Sequence, residues 1–435
     1  MKIPEILLIE SEHRPGSLAK VLTVIGECGF VVEHLSALRR DQDKTVWELT
    51  LELDTDRESD VIQRIDQLPN ARVLGRSDRA FNRHRGGKIQ MVSKVNLESR
   101  QVLRDIYTPG VARVCLEIRD HPEKAREFTN LNNTVAIVTN GTAILGLGDI
   151  GPVAGLPVME GKSAIFAALA DITGIPILMN ERDPVKLVAH IAAIAPSFGA
   201  IQLEDIAGPE CFAVEQGLRD ILDIPVLHDD QHGTAVVTLG ALISISNLLG
   251  FDLKDTVVGQ IGLGAAGLGI ARLLRRFGIK QVLGADLAEG AMQHLETLGG
   301  TRSTLPEIMA KADIVMSTTG VKGLIKKEMV RAGQVILALS NPEPEINPLE
   351  ARAAGAAFAA DGQSINNILG FPGLFRGALD AGAKRFTDEM LFAAAQTLAD
   401  LSPPDELMPD PLDRALHRAV ADKVAEAART SGATD

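Results

Sequence analysis

Aromatic residues are scarce in this 435-residue chain, at 3% of positions with one Trp and one Tyr. That excludes the stacking surfaces on which single-stranded nucleic acid is held. Positive charge is also in deficit. Lys and Arg number 44 against 57 Asp and Glu, for a formal net charge of −13 and a pI of about 5.3. This is the wrong sign for a phosphate-backbone binder, so no nucleic-acid partner is expected. The only cysteines, Cys28, Cys115 and Cys211, are odd in number and far apart. They exclude a disulfide framework and a C-x-x-C zinc pair, and they fit a reducing cytoplasm. A secretory signal is not seen, because the apolar run after Lys2 is broken by Pro4 and Glu5 and ends at Glu10. One uncharged run, Gly233 to Phe251, has the length of a membrane span. Thr234, Thr238, Ser244, Ser246 and Asn247 punctuate it, so a buried helix is expected and no membrane. What is present is ordinary for a soluble globular protein: 46% hydrophobic and 23% charged residues. The length suggests two to four domains.

Residues 1–80 read as a small separate domain. Ile6 to Ile9 is a short strand, and Arg14-Pro15-Gly16-Ser17 is a turn whose Ser17 is placed to cap a helix over Leu18 to Cys28. Val31 to Arg39 and Thr45 to Leu53 read as paired strands. In the second, Trp47, Leu49, Leu51 and Leu53 alternate with Val46, Glu48, Thr50 and Glu52, which makes one face apolar. A helix over Ser59 to Leu68 and a strand over Ala71 to Leu74 complete a βαββαβ order, an α+β unit with an antiparallel sheet. With Arg14-Pro15-Gly16-Ser17-Leu18 between strand and helix, this segment resembles an ACT domain. The resemblance implies a small-molecule effector site, or a module used only for assembly. Arg76 to Lys88 is basic, ends in Gly86-Gly87 and reads as an exposed linker.

Beyond about residue 90 the pattern is α/β. Short apolar runs at Val135 to Val138, Pro176 to Leu178, Ala200 to Leu203, Pro225 to Leu227, Thr256 to Ile261, Gln281 to Ala285, Asp313 to Ser317 and Val335 to Leu339 alternate with helical segments. Such strands belong in parallel sheets covered on both faces. The expected division is a basic linker over 81–94, a substrate and metal domain over 95–233, a dinucleotide domain over 234–375 and a helical segment over 376–435.

Gly262-Leu263-Gly264-Ala265-Ala266-Gly267 stands between the strand Thr256 to Ile261 and a helix over Leu268 to Phe277. In that context the first Gly permits a tight turn, the second lets backbone reach a pyrophosphate, and the third lets helix pack on strand. The helix N-terminus, at Ala265 and Ala266, supplies free N–H groups for the phosphates. This predicts a doubly wound Rossmann-type domain. The next strand ends at Asp286, 19 residues past Gly267, where a carboxylate binds the ribose hydroxyls and repels a 2′-phosphate. NAD is therefore expected ahead of NADP. The alternative for Asp286 is a turn-capping acid.

A second constellation is acidic. Glu204-Asp205 and Asp229-Asp230 each follow an apolar strand, within Leu203-Glu204-Asp205-Ile206 and His228-Asp229-Asp230-Gln231-His232-Gly233-Thr234. Parallel strands present their C-terminal ends on one edge, so these carboxylates can converge, and hard oxygen ligands suit Mg²⁺ or Mn²⁺. Read singly, acids at strand ends are also common caps. Lys162, in Glu160-Gly161-Lys162, reads as the start of an apolar helix; desolvated there, with a lowered pKa, it would serve as a base. Tyr107, in Tyr107-Thr108-Pro109-Gly110-Val111-Ala112, is the only tyrosine and reads alone as a core residue.

Together these stretches resemble the malic enzyme family, along with Leu145-Gly146-Leu147-Gly148-Asp149-Ile150-Gly151, Ser340-Asn341-Pro342, Asn366-Asn367 and Phe371-Pro372-Gly373. They keep the family's order over about residues 90–430, in the short bacterial form. The resemblance implies oxidation and decarboxylation of L-malate to pyruvate, with Glu204, Asp205 and Asp230 as metal ligands. It implies Lys162 as the base at the C2 hydroxyl, Tyr107 as the acid at C3, and Asp229 as the neighbour tuning both lysine and metal. Asn341 and Asn367 match residues holding the substrate carboxylate and the nicotinamide side, and a homo-oligomer is implied. One position departs: animal-type members carry an Arg before the Leu-Gly-Leu-Gly-Asp stretch where this chain has Ala143. Another ACT-bearing dehydrogenase, for homoserine or a 3-phospho acid, would share the Gly-rich turn but has no use for the three carboxylates together. A catalytically dead sensor would have lost Tyr107, Lys162 or the acids, and none is lost.

Overall fold

The computed structural model describes residues 3–53, 58–144, 147–341, 343–404 and 406–434. The chain divides into two compact units, Met1–Lys88 and Ile89–Asp435.

The first unit is built from β1 (Ile3–Glu12), α1 (Ser17–Glu27), β2 (Val32–Arg40), β3 (Lys44–Leu53), α2 (Glu58–Asp66) and β4 (Ala71–Arg76), followed by a short α3 (Arg79–His84). The four strands form one antiparallel sheet in the order β2-β3-β1-β4. Leu7, Ile9, Leu49 and Leu51 meet Val21 and Ile25 of α1 and Val61 and Ile65 of α2 in a closed core. The βαββαβ order is as the apolar alternation predicts. Two local expectations are corrected. Ser17 does not cap α1: Gly16 takes that position at φ 84°, in the left-handed region open to glycine, and Ser17 is buried in the first turn. The basic stretch after β4 is not wholly a solvated linker. Glu48, on the face of β3 opposite the main core, is buried; Ser77 Oγ donates to it at 2.8 Å and Arg79 pairs with it closely. A buried carboxylate needs such a cation, and the chain supplies it from α3.

The second unit opens with α4 (Arg100–Ile106), α5 (Val111–Asp120) and α6 (Ala125–Phe128). Two parallel sheets follow. The first has the order β6-β5-β7-β8, with β5 at Thr134–Thr139, β6 at Thr173–Leu178, β7 at Ala200–Leu203 and β8 at Val226–His228. Its crossovers are α7 (Pro152–Ala170), α8 (Pro184–Ile194) and α9 (Glu210–Ile221). A long α10 (Asp229–Leu249) leads to the second sheet: β9 (Val257–Ile261), α11 (Ala265–Phe277), β10 (Gln281–Ala285), α12 (Glu289–Thr297), β11 (Thr301–Arg302), α13 (Leu305–Lys311), β12 (Ile314–Ser317), β13 (Val335–Ala338), α14 (Pro348–Ala353) and β14 (Phe358–Asp361). Its order, β11-β10-β9-β12-β13-β14, places the first strand in the middle and reverses direction there, the doubly wound arrangement that binds dinucleotides. Then α15 (Phe371–Ala381), α16 (Asp388–Asp400) and α17 (Arg414–Thr430) fold back onto α7 and α10.

By length and hydropathy, α7 and α10 could each cross a membrane. However, α10 packs against α11 and α16 and is buried along most of its length, while its first turn carries Asp229 and Asp230. It is an interior helix, apolar all round for that reason. The sequence places a helix start at Lys162; instead α7 begins ten residues earlier at Pro152, and Lys162 lies in its middle. Pro152 fits the first turn of a helix, and the helix runs on through Pro157 and Gly161. The edge strand β14 lies outside the strands expected from the sequence, because Phe358–Asp361 is short and follows an Ala-rich helix.

Candidate active site

Leu203 pairs with His228 across the parallel β7 and β8. Glu204 and Asp205, directly after β7, therefore emerge beside Asp229 and Asp230 at the head of α10. Oxygens of Glu204, Asp205 and Asp230 lie within 4.8 Å of one another. Glu204 and Asp205 are buried and Asp230 is half-buried. Asp205 sits at φ 52°, a left-handed conformation unusual for a residue with a side chain. Its carbonyl accepts from Ala143 N–H at 3.1 Å, and its own N–H donates to Asp230 Oδ2 at 3.0 Å. Ala143, the departure from the animal-type pattern, thus lies against the carboxylate stretch.

Lys162 reaches the same cluster from α7. Its Nζ is 3.0 Å from Glu204 Oε1, makes a closer contact with Asp229 Oδ2, and lies 4.3 Å from the ring centre of Phe371. That ring stacks edge-on against Phe166, at 4.9 Å between centroids, and so forms an apolar wall. Asn367 Nδ2 donates to Asp229 Oδ2 at 2.7 Å. Burial alone would lower the lysine pKa, as the sequence reading expects. Asp229 and Glu204 outweigh burial and raise it, so without a cation in the cluster the amine is held as ammonium. Glu204 is pushed well above the carboxylate range by burial and by the neighbouring acids, with Lys162 opposing. Burial likewise raises Asp229 against the pull of Lys162. Burial works against the charge of Asp230 as well, but the His228 imidazole holds that carboxyl below its usual range.

One ammonium is too little for this many buried carboxylates. Asp229 Oδ1 is in addition buried without a hydrogen-bond donor among the described residues. An all-oxygen, all-carboxylate donor set of this kind fits a hard divalent cation such as Mg²⁺ or Mn²⁺.

The glycine turn lies at the C-terminal end of β9. Gly262 has φ 84°, and a Cβ there would stand 2.8 Å from the carbonyl of Thr318. At Gly267 a Cβ would be 2.0 Å from the Gly262 carbonyl, so only glycine lets α11 pack this closely. Gly264 by contrast borders open space. With the unpaired N–H groups of Ala265 and Ala266, this cradle fits a pyrophosphate. Asp286 Oδ2 accepts from Leu263 N–H at 2.6 Å and Oδ1 from Ala288 N–H at 2.8 Å. The alternative reading of this residue is thus realised: it organises the turn. Asn341 follows β13, its Nδ2 3.4 Å from the Gly362 carbonyl, and is not joined to the carboxylates as Asn367 is.

Tyr107 is not the core residue that it reads as alone. It caps the end of α4, is 70% exposed, and its phenol has no hydrogen bond to any described residue. From Ile89 to Asn133 no residue is buried.

Two features were missed in the sequence. Glu345 is buried beneath the dinucleotide edge, where its Oε1 accepts from Thr319 N at 2.6 Å, Thr319 Oγ1 at 2.8 Å and Ser340 Oγ at 2.6 Å. Glu215, on α9, is buried under the head of α10. Its signal was legible: it shares the apolar stripe Cys211, Val214 and Leu218, where a charge demands partners.

Comparison with known proteins agrees with this geometry. The malic enzyme N-terminal domain model matches residues 86–219, and the malic enzyme NAD-binding domain model matches 348–429. Residues 231–332 between them match the NAD-binding domain of D-isomer specific 2-hydroxyacid dehydrogenases. NAD-dependent malic enzyme 1 of Bacillus subtilis is 49% identical over 98% of both chains. The NAD-dependent malic enzyme of Geobacillus stearothermophilus is 37% identical over 96% of this chain and 92% of its own. The crystal structure of malic enzyme from Pyrococcus horikoshii superposes with a TM-score of 0.78 at 38% identity, over 82% of this chain and 91% of that one. With these likenesses extending across both parallel sheets and the carboxylate centre, the chain belongs to the malic enzyme family.

Proposed function

We propose that the enzyme converts L-malate and NAD⁺ to pyruvate, CO₂ and NADH with the help of a divalent cation. The observation that carries this reading is the buried Lys162 amine, held between Asp229 and Glu204 at the edge of a three-carboxylate centre. A cation on Glu204, Asp205 and Asp230 would supply Lewis-acid polarisation of the substrate oxygens and positive charge to offset the acids around the lysine. The Gly262 to Gly267 turn would hold NAD, which when bound would supply the hydride acceptor.

Lys162, once neutral, takes the C2 hydroxyl proton as hydride leaves C2. Asp229 and Asn367 hold the amine in place through their shared hydrogen bond. The Phe371 and Phe166 wall excludes water from that side. Loss of CO₂ from the resulting β-keto acid leaves an enolate, and Tyr107 supplies the proton at C3. Base and acid are separate groups because they act at different atoms. Asp286 favours NAD over NADP by occupying the place a 2′-phosphate would need.

Tyr107 rides on helices with no core of their own: Leu103, Ile106, Leu116 and Phe128 are all exposed. Short helices are stabilised chiefly by packing an apolar face, so this arm calls for a covering surface. We assign that surface to a second copy of the chain, with Tyr107 serving the partner's lysine and carboxylates. The βαββαβ unit, with its open turn at Gly16, resembles an ACT domain and is proposed as the seat of a small-molecule effector. Cys28, Cys115 and Cys211 as reduced thiols fit a cytoplasmic enzyme.

Steady-state assay with malate, Mn²⁺ and NAD⁺ is the test. Pyruvate and NADH in equal amounts, lost on chelation, are expected. No pyruvate, or full activity after exhaustive chelation, would refute the reading.

A further inference from the structure

Beneath the head of α10 lies a second polar cluster that the proposed reaction does not use. Glu215 of α9 is buried, and four contacts converge on it. Its Oε1 accepts from the backbone N–H of His228 at 3.1 Å, and its Oε2 from Gln231 Nε2 at 3.2 Å. His232 Nε2 lies 2.9 Å from Oε1 and 3.0 Å from Oε2. Burial works against the charge on Glu215, yet His232, at hydrogen-bond distance from both its oxygens, holds the carboxyl down at about 2. It is an ionised group at any ordinary pH, and so only an acceptor.

That restriction propagates. Gln231 can satisfy Glu215 only by presenting its NH₂ group. The same nitrogen lies 3.1 Å from His228 Nδ1, so its second hydrogen points at the imidazole. In the neutral ring Nδ1 then offers a lone pair and the proton sits on Nε2; Asp230 and Glu215 raise the His228 pKa against burial, and the Gln231 NH₂ opposes the second proton this would add at Nδ1. Nε2 lies 3.2 Å from Asp230 Oδ2, within ion-pair distance though off the line of a good hydrogen bond. Asp230 favours a proton on that nitrogen, while Gln231 opposes one on the other. All of His228, Gln231, His232 and Glu215 are buried, so water cannot reorder the chain of donors and acceptors.

We propose that Glu215 is a positioning residue: through Gln231 it fixes the tautomer of His228, and through His228 the orientation of the Asp230 carboxylate for the divalent cation. The inference rests on the carboxylate centre being a metal site. Outer partners of this kind typically change metal affinity by about 10–100-fold when removed. A packing role alone would lower stability without altering affinity in the folded enzyme.

The experiment measures Mn²⁺ binding to the full-length enzyme by electron paramagnetic resonance of free Mn²⁺, without substrate. Isothermal titration of NAD⁺ serves as the control for an intact fold. For Glu215→Gln the Mn²⁺ dissociation constant is expected to rise at least tenfold, with NAD⁺ affinity within twofold of wild type. Gln231→Leu, which keeps Glu215 charged but deletes the relay, should show the same loss and stands in if the first variant does not fold. In [¹⁵N]histidine-labelled protein, the His228 resonance should report Nε2–H in wild type and a mixture in Gln231→Leu. Mn²⁺ affinity within twofold of wild type in either folded variant would overturn the proposal. Asp230→Asn separates the two ideas. Wild-type binding abolished by Asp230→Asn upholds the metal site whatever Glu215 does, whereas no Mn²⁺ binding by wild type would sink both.

Discussion

Lys162 and Tyr107, the proposed base and acid of one reaction, occupy opposite surroundings. The lysine is 8% exposed, in the middle of a 19-residue helix, with two carboxylates and an aromatic ring against its amine. The tyrosine is 70% exposed on an arm without a single buried residue between Ile89 and Asn133. The first has its protonation state dictated by its own chain, since neighbours a few ångströms away in a dry site outweigh the desolvation of the amine. The phenol of the second makes no hydrogen bond to any described residue of its own chain. A buried group can be understood from one copy of the fold; an exposed one on a bare helix is incomplete until something covers it.

The largest effect should come from the buried side of this contrast. Lys162→Ala is expected to reduce malate oxidation by about 10²–10⁴-fold, the usual contribution of a positioned acid or base, while NAD⁺ affinity changes little. Turnover near wild type would remove the lysine from the chemistry.

The exposed side is sharpened by mixing. Tyr107→Phe and Lys162→Ala should each be nearly inactive alone. If the phenol serves a neighbour's centre, hybrids formed by co-refolding the two should regain a substantial part of wild-type activity. Hybrids as dead as the parents, or a monomer by light scattering, would place Tyr107 in its own chain's site or outside the reaction.

A third test reads the buried network as stability. Glu215 has its pKa lowered from 4.5 to about 2, so its contribution is complete above about pH 4.5 and is lost as pH falls through 2. That shift amounts to about 3 kcal/mol. Glu215→Gln should flatten the acid limb of the stability curve between about pH 4.5 and 2, followed by urea unfolding at a series of pH values. A limb as steep as that of wild type would deny the carboxylate this role.

The smallest effect is expected at the dinucleotide edge. Asp286→Ser with Leu287→Arg should shift the ratio of kcat/KM for NADP⁺ over NAD⁺ upward by about tenfold, since one charge contact is exchanged for another. The two hydrogen bonds that Asp286 accepts from the Leu263 and Ala288 N–H groups are lost with it, so some affinity for both cofactors should fall. An unchanged ratio would leave Asp286 as a turn acid only.

Legibility followed periodicity. The first unit's strands and helices, and eight parallel strands of the second, could be found from runs of Val, Ile and Leu because strands buried on both faces have little choice of composition. The start of α7 could not. Lys162 reads as a helix start, yet inside the fold the helix runs through Gly161 because packing overrides local propensity. Glu204, Asp205 and Asp230 stand out by their place after apolar strands. His228, Gln231 and Glu215 do not announce a joint role, since the link between α9 and α10 is a contact across 13 or more residues of sequence. The direction of the Lys162 shift was equally out of reach, because it depends on how many acids crowd the amine.

The order of residues alone determined which chemistry was available: a glycine turn after a strand, four acids in two pairs at strand ends, one amine and one phenol. These are local facts, because turn geometry and strand periodicity are settled within a few neighbours. Tertiary structure decided which of those groups meet. It brought three carboxylates within 4.8 Å, made the amine a cation, laid a charged glutamate under the carboxylate edge and left the phenol outside. Distances and burial belong to the packed chain, and Coulomb energy and desolvation depend on both.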